Sequence, residues 1–226
     1  MKKIITLSLI TVFGFVFSAC DKKPASTSTP TIIPTPRLIE IAPQDRPYIS
    51  LIPRADGHEL KLKINQIPQN ISQIEYELLY TAVDEGNEIE KGVGDTIKVT
   101  SANIERDLLL GTASCTNGCK YKYDTGINGG TLSLTFVSQT SQISTFQTPF
   151  TLASALEVKK TKSITLPTEK FTINLETVSN EFFVLLKNYQ PGFSLFSSGQ
   201  GKGKIKSIEP SSISKTDMNT ISGDYR

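Results

Sequence analysis

Leu60, Leu62 and Ile64 alternate with Glu59, Lys61 and Lys63. A period of two puts the apolar side chains on one face of an extended chain and the charges on the other, the pattern of a half-buried strand. Ile74, Tyr76, Leu78 and Tyr80 repeat it against Glu75, Glu77 and Thr81. Leu132, Leu134 and Phe136 repeat it against Thr131, Ser133 and Thr135. Tyr48 to Pro53, Thr96 to Val99, Glu105 to Gly111 and Ile143 to Leu152 add further short strand-like runs. Ala55-Asp56-Gly57-His58, Asp124-Thr125-Gly126 and Asn128-Gly129-Gly130 supply turn chemistry between them. Asp84 to Gly94 reads as an acidic, glycine-containing loop. Nothing in this stretch carries a helical period. Eight or so short strands over about a hundred residues predict a β-sandwich at 48–153.

A boundary is expected near Ser154, followed by a smaller β-rich unit at 154–210. Its strand-like runs are Glu157 to Leu166, Lys170 to Leu175, Glu181 to Lys187, Gly192 to Phe196 and Lys204 to Ile208. Phe182 to Leu186 is apolar at every position, which predicts a strand covered on both faces. Some fifty residues bury little core alone, so this unit is expected to pack against the sandwich. Residues 211–226 read as a flexible polar tail.

Glu59–Ile67, Gln73–Val83 and Thr131–Val137 resemble strands of immunoglobulin-like or fibronectin type III-like domains. The chain has no Trp, so the Cys-Trp-Cys core of true immunoglobulin domains is missing. The resemblance implies a sandwich shape and carries no function. The fold class predicted is all-β: an immunoglobulin-like β-sandwich followed by a smaller β-rich unit, on a disordered Pro/Ser/Thr tether.

That tether comes from the N-terminal end. Met1, Lys2 and Lys3 precede an apolar run from Ile4 to Phe17, the build of a secretory signal. The run closes on Phe17-Ser18-Ala19-Cys20. That ending resembles the lipobox of bacterial lipoproteins, with Phe17 where the family usually has Leu. The resemblance implies cleavage after residue 19 and acylation of Cys20, so that the remainder is held at the extracytoplasmic face of a membrane. In lipoproteins of two-membrane bacteria, an Asp at the place of Asp21 resembles a signal for inner-membrane retention. An uncleaved anchor is the rival, but the run contains Thr6, Ser8, Thr11 and Gly14 and is shorter than the ~20 residues a spanning helix needs. An ordinary signal peptide cut at the same place would leave Cys20 a plain thiol. Residues 20–47 then hold six of the twelve prolines among Ser and Thr. Extended from Asp21 to Pro47, they reach roughly 80 Å at about 3.1 Å per residue. Leu38 to Ile41 is a candidate short strand at the start or edge of the fold.

With Cys20 assigned to lipid, Cys115 and Cys119 remain as a pair around Thr116-Asn117-Gly118. A disulfide is the default for two near thiols outside the cytoplasm. A redox pair needs a lowered thiolate pKa, and half a zinc site lacks its other ligands. Behind this turn come Tyr121 and Tyr123, one face of a strand, with Asp124 next to them. Exposed, the two rings suit a sugar or a protein interface. The alternative puts them in the core, with Lys120 and Lys122 outward.

Other candidate chemistry lacks its context. His58, the one histidine, has no nucleophile elbow to serve, and reads as part of an exposed turn. Ser212-Ile213-Ser214-Lys215 has acyl-enzyme spacing without a helix. Gly199 to Lys204 lacks the strand, loop and helix order of a phosphate loop. The acids between Asp84 and Asp95 lack a calcium-loop pattern. Removing residues 1–19 from the 226 leaves 207, and loses two of the 24 basic residues against 22 acidic, so the mature charge is zero. A neutral chain has no cationic excess for phosphates, which disfavours nucleic acid as a partner. The expectation is therefore a protein that is not an enzyme and has no metal or cofactor. It would be bound to the bilayer through acylated Cys20, with an envelope protein or glycan as partner. The alternative is an envelope glycan hydrolase that works with two carboxylates. A thiol sensor at Cys115 and Cys119 is a third reading.

Overall fold

Burial along Glu59–Asn65 alternates strictly, with Leu60, Leu62 and Ile64 inside. The period-two reading of that segment holds residue by residue. The computed structural model describes residues 37–178, 180–199 and 204–212. These are mostly β, with several antiparallel sheets. In chain order the strands are β1 (Arg37–Leu38), β2 (Tyr48–Pro53), β3 (Glu59–Asn65), β4 (Ile71–Asp84), β5 (Asn87–Lys98), β6 (Ile104–Leu109), β7 (Gly111–Ser114) and β8 (Lys120–Tyr123). They continue as β9 (Gly129–Ser138), β10 (Gln142–Ala153), β11 (Ser163–Leu166), β12 (Phe171–Thr177), β13 (Phe183–Lys187), β14 (Phe193–Ser197) and β15 (Lys204–Glu209). One helix, α1 (Ala155–Thr161), stands among the described residues. No helix among them is long and apolar enough to cross a membrane.

The large sheet runs β14-β13-β10-β9-β4-β5, with β1 added to β10 in parallel. A second sheet, β2-β3-β6, lies against one of its faces. Ile49, Leu51 and Leu60 of the second sheet share one core with Ile74, Leu132 and Phe136 of the first. A third sheet, β11-β12-β15, covers the opposite face at the β13–β14 end, where Phe183 and Leu195 pack with Phe171 and Ile173. Phe183 to Leu186 is therefore buried at every position, because each face meets a different core. That is the physical reason for its unbroken apolar run.

Four expectations need correction. The sheet does not stop near Ser154: β10 pairs with β13, Phe150 opposite Leu186 and Ala153 opposite Phe183. A strand apolar on both faces needs neighbours on both, and it finds them by joining the large sheet. The expected strand Glu157–Leu166 begins instead as α1. Ser154 and Glu157 form a reciprocal capping box, in which the Ser154 N–H donates to Glu157 Oε2 at 2.7 Å. Lys162, at φ 57°, ends the helix, and β11 follows. The expected acidic loop from Asp84 to Gly94 is mostly strand β5, turned by Glu85 and Gly86 at φ 50° and 86°. Its charges obscured the period because all but Ile97 lie outside the fully buried core. The tether does not reach Pro47. Ile41 is buried, and the Arg46 guanidinium lies 5.1 Å over the Tyr189 ring. Residues 20–36 of the expected tether, the signal segment with Cys20, and the tail from 213 lie outside the described residues. So do the Ser-x-x-Lys lysine and most of the Gly199–Lys204 loop.

Asn188 fastens the end of β13 to β2. Its side-chain oxygen accepts from the N–H of Ile49 at 3.1 Å and of Tyr189 at 2.9 Å. Its Nδ2 donates to Ile49 O at 2.7 Å and to Ser194 Oγ at 2.9 Å. The amide thus reproduces both backbone bonds that a neighbouring strand would give Ile49.

Candidate functional site

β7 and β8 form a two-stranded hairpin with Gly111 opposite Tyr123 and Ser114 opposite Lys120. Cys115 and Cys119, at its tip, lie at disulfide-bonding distance with Cα atoms 4.1 Å apart. All four residues of β8 are exposed. Tyr121 and Tyr123 face solvent at 54% and 37% exposure, so the core reading of this pair is overturned. β7 reads Gly-Thr-Ala-Ser. Four small residues give the tyrosines no apolar partner strand and no layer to enter.

The rings instead meet the turn between β2 and β3. His58 stacks on Tyr123 with centroids 4.2 Å apart and 8° between planes. Tyr121 lies parallel to Tyr123, with centroids 5.9 Å apart and 6° between planes. The Arg54 guanidinium stands 5.8 Å from the Tyr123 centroid. Asp56 positions both ends of this group. Its Oδ1 accepts from Arg54 Nε at 2.8 Å and from the His58 N–H at 3.1 Å. The hydrogen bond to Arg54 pulls the Asp56 carboxyl down to about 2. Arg54 also pairs with Glu59. Gly57, at φ 74°, lets the chain turn tightly here, and a side chain at that position would collide with the Phe182 ring.

Asp124, the third predicted ligand residue, is not part of the ring surface. Its side chain is 5% exposed and accepts from Tyr80 Oη at 2.8 Å and from Lys91 Nζ. Burial, then this hydrogen bond and the Asp124 charge, push the Tyr80 phenol above its ordinary range. The Asp124 N–H donates to Leu110 O at 3.0 Å, and Val83 N–H donates to Thr125 O at 2.8 Å. Asp124 therefore anchors the base of the hairpin to β4 and β5. Arg54 and the His58 stack went unread in the sequence. The usable signal was the Arg-x-Asp-Gly-His order, a turn that returns a cation and a ring to one side.

The carboxylates of β5 spread along an extended strand, Glu88 and Glu90 on one face and Asp95 on the other. Among the described residues, no three His, Cys, Asp or Glu side chains gather where they could hold a metal ion. Glu75 and Glu77 line a shallow groove of about 600 Å³ on one face of β4 and β5, opened by Gly92 and Gly94, while Asp95, opposite Tyr76, has its side chain on the other face. Comparison with protein-family models, with curated proteins and with solved structures returns no match.

Proposed function

We propose that this chain is a lipid-anchored, extracytoplasmic binding protein. In this reading Cys20 is acylated and Asp21 to Pro36 is a leash. The β2-β3-β6 sheet and the large sheet then form an immunoglobulin-like sandwich that presents the β7–β8 hairpin to an envelope protein. The ring array carries the reading. Tyr123 has His58 over one side and Tyr121 parallel to it, with Arg54 close by. Stacked rings offer edges, hydroxyls and one cation more than open faces. Tyrosine and arginine of that kind anchor protein interfaces. A sugar platform needs free ring faces, and the exposed side of Tyr121 is what this array has left. The work is non-catalytic binding, with no cofactor.

The test has two arms. Mass spectrometry of the processed N-terminus is expected to find fatty acids on Cys20. Capture of envelope proteins by the anchored protein is expected to disappear with Tyr121→Ala/Tyr123→Ala while the thermal midpoint stays unchanged. Capture that survives the double substitution, or retention of glycan alone, overturns the protein-interface reading. The groove beside Glu75 and Glu77 supports the second reading, a carboxylate hydrolase. Glycan cleavage by the purified chain that Glu77→Gln abolishes would establish it in place of the first.

A further inference from the structure

We infer that β5 is a self-complementary edge through which two copies of this chain pair, joining their large sheets into one. β5 is the last strand on its side of the large sheet, and its outer edge has no partner strand among the described residues. It is twelve residues long, well beyond the short edges that proteins usually leave bare. Ile89 and Val93 are only partly buried against the core at this margin.

Backbone parity limits how a second β5 can dock. Asp84 and Asn87 close the two-residue turn and so form a hydrogen-bonded pair. At the other end of the strand the Val99 N–H donates to Ser72 O at 2.9 Å. Odd-numbered residues of β5 thus direct their N–H and C=O groups at β4. The even-numbered residues from Glu88 to Lys98 direct theirs outward, where the Thr96 N–H already donates to Asp95 Oδ1 at 2.7 Å and exchanges that bond on pairing. An antiparallel twofold pairing must place outward residues opposite outward residues. With the axis through Val93, Gly92 faces Gly94 of the second copy, and the parity is met.

The side chains agree with that register. Glu88 faces Lys98 of the second copy, Ile89 faces its Ile97, and Lys91, whose ammonium already holds Asp124, faces its Asp95. Val93 meets itself on the axis. No like charges are opposed, and opposite charges meet at both ends of the pairing. The adjacent registers allowed by parity fit less well. Centring on Gly92 sets Ile89 against Asp95 and brings no opposite charges together, and centring on Gly94 keeps Glu90 opposite Lys98 but sets Lys91 against Ile97 and Val93 against Asp95. Charges that merely guarded the edge would need no such symmetry about Val93. Glu88 and Lys98 are both exposed, so their pairing with a second copy costs no existing core contact.

Sedimentation equilibrium of the full chain tests the inference. The wild type is expected to be a reversible dimer. Lys98→Glu places two glutamates opposite each other at each end and should raise the dissociation constant about tenfold, two cross-strand pairs being turned repulsive. Glu88→Lys/Lys98→Glu exchanges the signs and should restore the wild-type value. Val93→Cys should cross-link to itself on oxidation, whereas Thr96→Cys, off the axis, should not. A chain that stays monomeric at every accessible concentration overturns the inference, as does a dimer indifferent to Lys98→Glu. None of these residues belongs to the ring array, so the two proposals fail separately.

Discussion

Replacing Asn188 with Leu removes the brace between β13 and β2 at nearly constant volume. Leu fills the space but neither accepts nor donates. Three backbone groups lose their Asn188 partner: the Ile49 N–H, the Ile49 C=O and the Tyr189 N–H. Ser194 keeps its bond to Tyr48 Oη at 3.2 Å and is not counted. The site is buried, with Asn188 4% and Ile49 0% exposed, so water does not replace the lost partners without displacing core. An unsatisfied buried group costs about 1–3 kcal/mol, and three at the low to middle of that range give roughly 3–5 kcal/mol. Set against a usual total of about 5–15 kcal/mol, that is a large share of the stability. At about 2–4 °C per kcal/mol for a body of this size, the thermal midpoint should fall by roughly 6–20 °C. Urea unfolding followed by circular dichroism gives the same quantity at 25 °C, and the slope should stay unchanged because no surface is newly exposed in the folded state. Asn188→Asp should be nearly as damaging, since it keeps the acceptor but loses the donor and buries a charge. A loss below about 1 kcal/mol for Asn188→Leu would refute the reasoning, because it would mean that the Ile49 bonds are readily replaced.

Lys91→Met should destabilise by about 2–4 kcal/mol, since it leaves the buried Asp124 carboxylate with Tyr80 alone, and Asp124→Asn in that background should recover part of it in urea melts. Gly130→Ala drives a Cβ into the carbonyl oxygen of Leu79, a backbone atom, so β4 and β9 must separate. A fall in the thermal midpoint of at least about 5 °C is expected, and an unchanged midpoint would contradict the strand spacing. Asp56 has a depressed folded-state pKa, about 2 against an ordinary 3.8, so its contribution is present above pH 4 and is lost as the pH falls towards 2. The side chain is about half exposed, which limits that contribution to a fraction of a kcal/mol. A carbon-detected NMR titration is expected to find its midpoint below 3, and a midpoint near 4 would show that Arg54 does not hold it.

The period-two segments were legible because alternation is a local property. Leu60, Leu62 and Ile64 had to share a face whatever covered it. Of β5 only the end, the run from Thr96, was legible, for the opposite reason. On the face that Ile89, Val93 and Ile97 share, Lys91 and Asp95 break the alternation, and only pairing with β4 makes the whole segment a strand. The helix after Ser154 has a local signal, the Ser-x-x-Glu box, which competes with the strand-like apolar positions that follow it. The exposure of Tyr121 and Tyr123 could not be read from Lys-Tyr-Lys-Tyr, since either face fits that alternation. What decided it was β7, whose small residues build no layer for the rings to enter.

By itself, then, the order of residues determined a β-rich chain, its principal turns, the proximity of Cys115 and Cys119, and a doubly covered strand within Phe182 to Leu186. Only the tertiary structure decided that this strand continues the large sheet past Ser154, that Asn188 stands in for a strand beside Ile49, and that His58 reaches Tyr123. The reason is physical. Alternation shows that a segment has an apolar face, whereas the identity of what covers that face is set by contacts between residues far apart in the chain, such as Ile49 and Asn188.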